Sequence, residues 1–221
     1  MFEAAEAFDV RFLEYFARLG RRYVMSLPDS NQIASPDKME MARIKVEQAM
    51  REIVDGQAQF AEKFINAAYD DEPGTVVYGL GMTVWASAGP MMEDELRKQG
   101  KKILEQACKK RPGNRFLLRA MAVIARQERQ FATAHRYFDL ALRLNPKDVE
   151  TVVDKIDLFM MAEEYDKAAG MIAKAAKAFP GEASLADTQS KFSRDSKRCP
   201  KCGTYMRYSA PFCPKCKLSF L

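Results

Sequence analysis

Two stretches decide the fold: Phe116–Pro146, FLLRAMAVIARQERQFATAHRYFDLALRLNP, and Val152–Pro180, VVDKIDLFMMAEEYDKAAGMIAKAAKAFP. At an offset of 34 residues, Phe131 falls on Tyr165, Ala134 on Ala168, Phe138 on Ile172, Ala141 on Ala175 and Pro146 on Pro180. Carried one period back, the same offset reaches Gly100, Leu104, Ala107 and Pro112. Recurrence of this kind is a structural repeat, one supersecondary unit copied along the chain. Each unit reads as a helix pair whose small residues let the two helices approach. The aromatic plugs the gap to the next pair, and the proline ends the second helix because it cannot continue it.

On these residues the chain resembles tetratricopeptide repeat proteins, over about residues 75–193. There are two fair copies. An earlier, degenerate one has Leu80-Gly81 at the family's Leu-Gly pair and about seven extra residues before Pro112. Gly181 to about Ser193 would be a closing helix over the last apolar face. The resemblance implies an α-solenoid whose first helices line a groove that commonly holds a peptide. By position, the groove-facing residues are Arg119, Val123 and Arg126 in one repeat and Asp157, Met160 and Met161 in the next. Members that clamp a chaperone's C-terminal carboxylates use Lys and Asn in the groove. Here Val123 and Asp154 stand where Asn is needed, so a mixed apolar and charged peptide suits the lining better.

Beyond the repeats, Cys199-Pro200-Lys201-Cys202-Gly203 is followed by Cys213-Pro214-Lys215-Cys216. Each CxxC turn presents two sulfurs on one side of a tight knuckle, and two knuckles supply the four thiolates of a tetrahedral zinc site. Proline stiffens each turn, and Gly203 can take the positive φ after the second ligand. The pattern resembles the minimal zinc ribbons that end many bacterial and archaeal proteins. It departs from them at Lys217, where Gly is usual. One structural zinc per chain is expected on Cys199, Cys202, Cys213 and Cys216. A rubredoxin-like iron centre needs a longer insertion between the pairs, and a disulfide switch is the weaker rival.

The tail is also the basic part of the chain. Residues 191–221 carry eight basic side chains against the single acid Asp195, so the overall charge of +5 belongs to them alone. A zinc ion with four thiolates is a dianion and offsets part of this. Tyr205, Arg207, Tyr208 and Phe212 among the lysines leave three uses open: docking of a protein, contact with nucleic acid, or simple capping of the repeats.

Before the repeats, Phe8, Phe12, Phe16, Leu19, Tyr23 and Leu27 recur at helical spacing between about residues 3 and 27. Ser35-Pro36-Asp37 opens a second helix. It is expected to run to about Tyr69 with Val46, Met50, Ile53, Phe60, Phe64 and Ala67 on one face. The two would form an antiparallel hairpin, ended by the solvated run Asp70-Asp71-Glu72 and by Pro73-Gly74. Phe12 and Tyr15 are separated by about 300° of helical turn. They cannot share one narrow seam, which makes them candidate anchors for a partner, with the groove adding polar contacts.

The expected organisation is therefore a hairpin over 1–72, repeats with a closing helix over 73–193, and a zinc ribbon over 196–221. Hydrophobic content of 48% and charged content of 29% are those of an ordinary globular protein. Alternating strand patterns are almost absent, so the class is all-α. Met1–Glu6 has neither a basic start nor an apolar run, and a secretory signal is not expected. Thr75–Met92 is uncharged, but Gly79, Gly81, Gly89 and Pro90 favour a buried helix over a membrane span. Cys108 reads as a packed core thiol. No Gly-rich phosphate loop, serine nucleophile elbow or HExxH is present, and the only histidine, His135, lies beside Arg136 on a second helix with no cysteine or acid placed to make a relay.

The function expected is a non-catalytic cytoplasmic adaptor that holds protein partners together, an accessory subunit of a larger bacterial assembly. The alternatives are a nucleic-acid-associated factor using the basic ribbon, and a regulator of envelope synthesis with tetratricopeptide repeats and a rubredoxin-like tail. Proteins of that last kind carry an N-terminal membrane anchor.

Overall fold

The computed structural model describes residues 10–87 and 94–220. Among them are ten helices and one two-stranded sheet, the all-α class expected. Phe8 and the end of the uncharged segment, including Gly89, Pro90 and Met92, lie outside the described residues.

Helix α1 (Val10–Ser26) carries the aromatic stripe, but the long second helix does not form. It is split into α2 (Pro36–Val54) and α3 (Ala58–Asp71). The break lies at Asp55-Gly56-Gln57. Gly56 takes φ +78°, and the backbone N–H of Gln57 reaches back to the carbonyl of Glu52 at 2.7 Å. This is the left-handed stop that glycine favours after a helix. The antiparallel hairpin is thus α2 with α3, while α1 packs on other helices. The break also turns α3, so that Ala61, Ile65 and Ala68 are buried and Phe60 is exposed.

Helix α4 (Pro73–Ser87) is the hub. It is apolar on every side, as a helix buried all round must be. Phe16 of α1, Val46 of α2 and Ile65 of α3 share one core cluster with Val76, Leu80 and Val84 of α4. Residues on both sides of position 72 therefore pack as one body. None of the described helices is long and apolar enough to cross a membrane. The α4 glycines act as a close-packing face: a Cβ on Gly79 would lie 2.5 Å from Val46 Cγ1.

Glu72 is not solvated. It is buried at 2% exposure, ion-paired to Arg111 at 2.5 Å, and accepts from the Asn114 amide at 3.1 Å and the Gly74 N–H at 3.0 Å. Asn114 also caps the next helix through its side-chain oxygen. One buried carboxylate thus ties the α3–α4 corner to the start of the repeats.

Helix α5 (Asp94–Lys110) lies against α4 as the degenerate pair. Then follow α6 (Arg115–Gln127) with α7 (Phe131–Leu144), α8 (Val149–Met161) with α9 (Tyr165–Ala178), and the closing α10 (Ala183–Asp195). The 34-residue period holds at atomic level. Arg111, Asn145 and Phe179 donate their N–H groups to the carbonyls of the aligned Ala107, Ala141 and Ala175 at 2.8, 3.0 and 2.8 Å. In the turns of the α6–α7 and α8–α9 pairs, Arg129 and Glu163 take φ of 58° and 59°. The aligned Ala134 and Ala168 are fully buried, as close helix approach requires.

Strands β1 (Ser196–Arg198) and β2 (Tyr205–Arg207) pair antiparallel, with Lys197 opposite Met206. No linker separates α10 from β1: the helix ends at Asp195 and the strand begins at Ser196.

Candidate metal centre

The two CxxC segments fold into knuckles with the same hydrogen bonds fourteen residues apart. Gly203 N–H donates to the Cys199 carbonyl at 2.9 Å, and Lys217 N–H to the Cys213 carbonyl at 3.0 Å. Cys199 N–H donates to Thr204 and Cys213 N–H to Leu218, at 2.9 and 2.8 Å. Gly203 has φ +75° and Lys217 φ +60°. Lysine therefore occupies a left-handed position that glycine fills in the first knuckle, and the second knuckle closes regardless.

The knuckles bring Cys199, Cys202, Cys213 and Cys216 together, with all four sulfurs within 4.8 Å of one another. Cys199 Sγ is 3.6 Å from Cys216 Sγ, and Cys202 Sγ is 3.5 Å from Cys213 Sγ. A metal–thiolate bond of about 2.3 Å gives a tetrahedron edge of about 3.8 Å. Two edges lie close to that value and all four sulfurs converge, so the donor set suits a single tetrahedral ion. The Thr204 hydroxyl, then its backbone amide, hold the Cys202 thiol down to about 6. Cys216 moves the other way, to about 11: the Leu218 backbone bond lowers it, but burial and the three neighbouring sulfurs together outweigh that. Crowded thiols resist joint ionisation, and a divalent cation among them removes the conflict.

The sheet seats this centre on the last repeat. Tyr205 packs on Phe192 of α10, ring centroids 5.4 Å apart, and Tyr165 of α9 lies 6.3 Å from Phe192. Asp166 accepts the Tyr205 N–H at 2.8 Å, and the Ser196 hydroxyl donates to the Phe192 carbonyl at 2.7 Å. Between ribbon and α9 opens a cleft of about 410 Å³, whose lining includes Glu163, Tyr165, Tyr205, Arg207, Phe212 and Pro214.

Most of the charged residues expected to line the repeat groove are paired with one another. Arg119 is 8% exposed; its guanidinium holds Asp154 at 2.7 Å and also pairs with Glu150. Arg126 donates to the Asp154 carbonyl at 2.9 Å, with Asp157 at 3.9 Å. Lys191 of α10 reaches Asp157 at 2.8 Å. An ion ladder thus runs between α6 and α8 and on to α10, and the groove arginines are engaged within the molecule. Val123 is half-buried and Met160 buried; Met161 is exposed. On α1, Phe12 is half-buried against the hub core, while Tyr15 is 41% exposed beside Phe16.

His135 does have an acid near it. Glu164, contributed by the turn before α9, lies 3.5 Å from its Nε2, and Phe159 covers the ring at 4.8 Å. Burial lowers the His135 pKa although Glu164 opposes it. The sequence hid this pair because its members are a repeat apart. Burial pushes the Cys108 thiol up to about 11, the behaviour of a packing residue rather than a nucleophile. No family model, curated protein or solved structure matches the chain.

Proposed function

We propose that the chain is a non-catalytic adaptor built from tetratricopeptide-type repeats and closed by a structural zinc ribbon. The observation that carries this reading is the closed set of four sulfurs around one point. With four thiolates bound, zinc has no position left for water or substrate, which is the arrangement of structural rather than catalytic sites. The other titratable groups support it. The ladder arginines and Glu72 are consumed by internal ion pairs, and His135 lies against the Phe159 ring and the Glu164 carboxylate. The place of action is the cytoplasm, where CxxC pairs stay reduced for metal rather than oxidise to disulfides.

The experiment is affinity capture of the zinc-loaded full chain, with and without nuclease. Partners that survive nuclease support the adaptor. Loss of every partner moves the reading to nucleic acid, for which the exposed Tyr208 and Phe212 among ribbon lysines are the favouring observation. Elemental analysis accompanies it, with one zinc per chain expected.

A further inference from the structure

We infer that the cleft between α9 and the ribbon seats an acidic peptide segment through a single large apolar side chain. The inference rests on the adaptor reading and locates its docking site.

The repeat groove is a poor seat because its charged lining is already paired across α6 and α8. The ribbon cleft differs in each respect that matters. Its volume, about 410 Å³, is at the lower end of the range for concave binding sites and matches one bulky side chain with its flanking backbone. Tyr165, Tyr205 and Pro214 line it, and Phe212 at its edge is 52% exposed. These rigid apolar groups lose little conformational freedom on contact. Arg207 stands at the rim with its side chain 64% exposed, ion-paired to the equally open Glu163 at 3.5 Å. So open an ion pair is weak and exchangeable, and an incoming carboxylate can take the guanidinium.

Charge selects an acidic partner. Residues 196–220 hold six basic side chains and no acid. The same residues argue against a polynucleotide. Lys197 covers Phe220 and donates to the Ala210 carbonyl, Arg198 donates to the Gly203 carbonyl, and Lys217 lies over Phe212. A nucleic acid gains affinity in proportion to the phosphates neutralised. With half of these cations turned to the ribbon itself, and Glu163 on the cleft wall, the phosphate track is short. A peptide draws instead on the apolar seat and needs only two or three charge contacts.

The test uses the zinc-loaded full chain and fluorescence anisotropy. The probes are a short labelled peptide of Asp, Glu and Ser with one central Phe, the same peptide with Ser in place of Phe, and single-stranded oligo-dT of equal charge. The Phe peptide should bind at least about tenfold more tightly than the other two, the worth of burying one large apolar group. Phe212→Ser and Arg207→Glu should each weaken it by about tenfold, at unchanged zinc content and melting temperature. Equal binding of the Phe and Ser peptides, tighter binding of oligo-dT, or indifference to Phe212→Ser would overturn the inference. Nuclease-resistant partners retained by Phe212→Ser would leave the adaptor standing and remove only the cleft; absence of such partners from the unaltered chain would sink the adaptor itself.

Discussion

Asp154 sits at the centre of the ion ladder, 8% exposed along its side chain, with Arg119 on one side and Arg126 on the other. Removing one member of a buried pair strands the other, at a cost of about 3 kcal/mol. Asp154→Ala should therefore lower the unfolding free energy by about that amount in chemical denaturation. A loss under about 1 kcal/mol would mean the ladder behaves as a screened surface pair. Two glycines give a sharper contrast. A Cβ on Gly100 would lie 2.7 Å from the Trp85 backbone nitrogen and 2.9 Å from the Gly81 carbonyl oxygen, neither of which can yield. Gly170, in the middle of α9, has nothing within 4 Å. Gly100→Ala should destabilise by about 2 kcal/mol through overpacking, and Gly170→Ala should stabilise by up to about 1 kcal/mol through helix propensity. Thermal melts of the two variants test the sign of each. Nothing in the local sequence separates these glycines. The 34-residue alignment does, by placing Gly100 with the buried Ala134 and Ala168.

Among the elements, the join of α10 to the ribbon has the most direct consequence. The helix hands its last residue to β1, and Tyr205 completes the apolar cluster of α8, α9 and α10. Cys202→Ser should abolish stoichiometric metal binding and raise amide exchange through residues 196–220 and the last turn of α10. Helices α1 to α6 should keep their circular dichroism, since their clusters contain no ribbon residue. Collapse of the whole helical signal would contradict this division. The repeat pairs, the closing helix and the knuckles were legible because each is a local pattern: a 34-residue period, a proline stop, a CxxC turn. The split of α2 from α3 was also written locally, in Asp55-Gly56, but the continuous apolar period across it masked the stop. What could not be read is pairing at long range. Glu72 looked solvated within an acidic run, and its partners Arg111 and Asn114 lie some forty residues later. The pairing of Arg119 is long-range in the same way, because Asp154 belongs to the next repeat.

Across the whole molecule, packing density is uneven. Helix α4 packs against α1, α2, α3, α5 and α6, whereas α10 packs chiefly against α8, α9 and the ribbon. Local opening follows such gradients, since elements with few buried neighbours open first. Native-state hydrogen exchange should find the slowest amides in α4 and progressively faster ones toward α10. Slowest exchange in α9 or α10 would place the stable core elsewhere. The sequence announced α4 only as an uncharged stretch, and it could not say that five helices would crowd around it. Finally, the paired left-handed turns at Arg129 and Glu163 have an effect on length. Because the two turns are the same, the piece of chain between them is interchangeable: one more 34-residue segment could be spliced in without altering either neighbour. Each splice would carry the four-sulfur end farther from α4 by about one interaxial distance of 8–10 Å, because successive first helices such as α6 and α8 touch directly. The chain is in this sense a gauge, with its zero at α4 and its reading set by how many units separate that helix from Cys199.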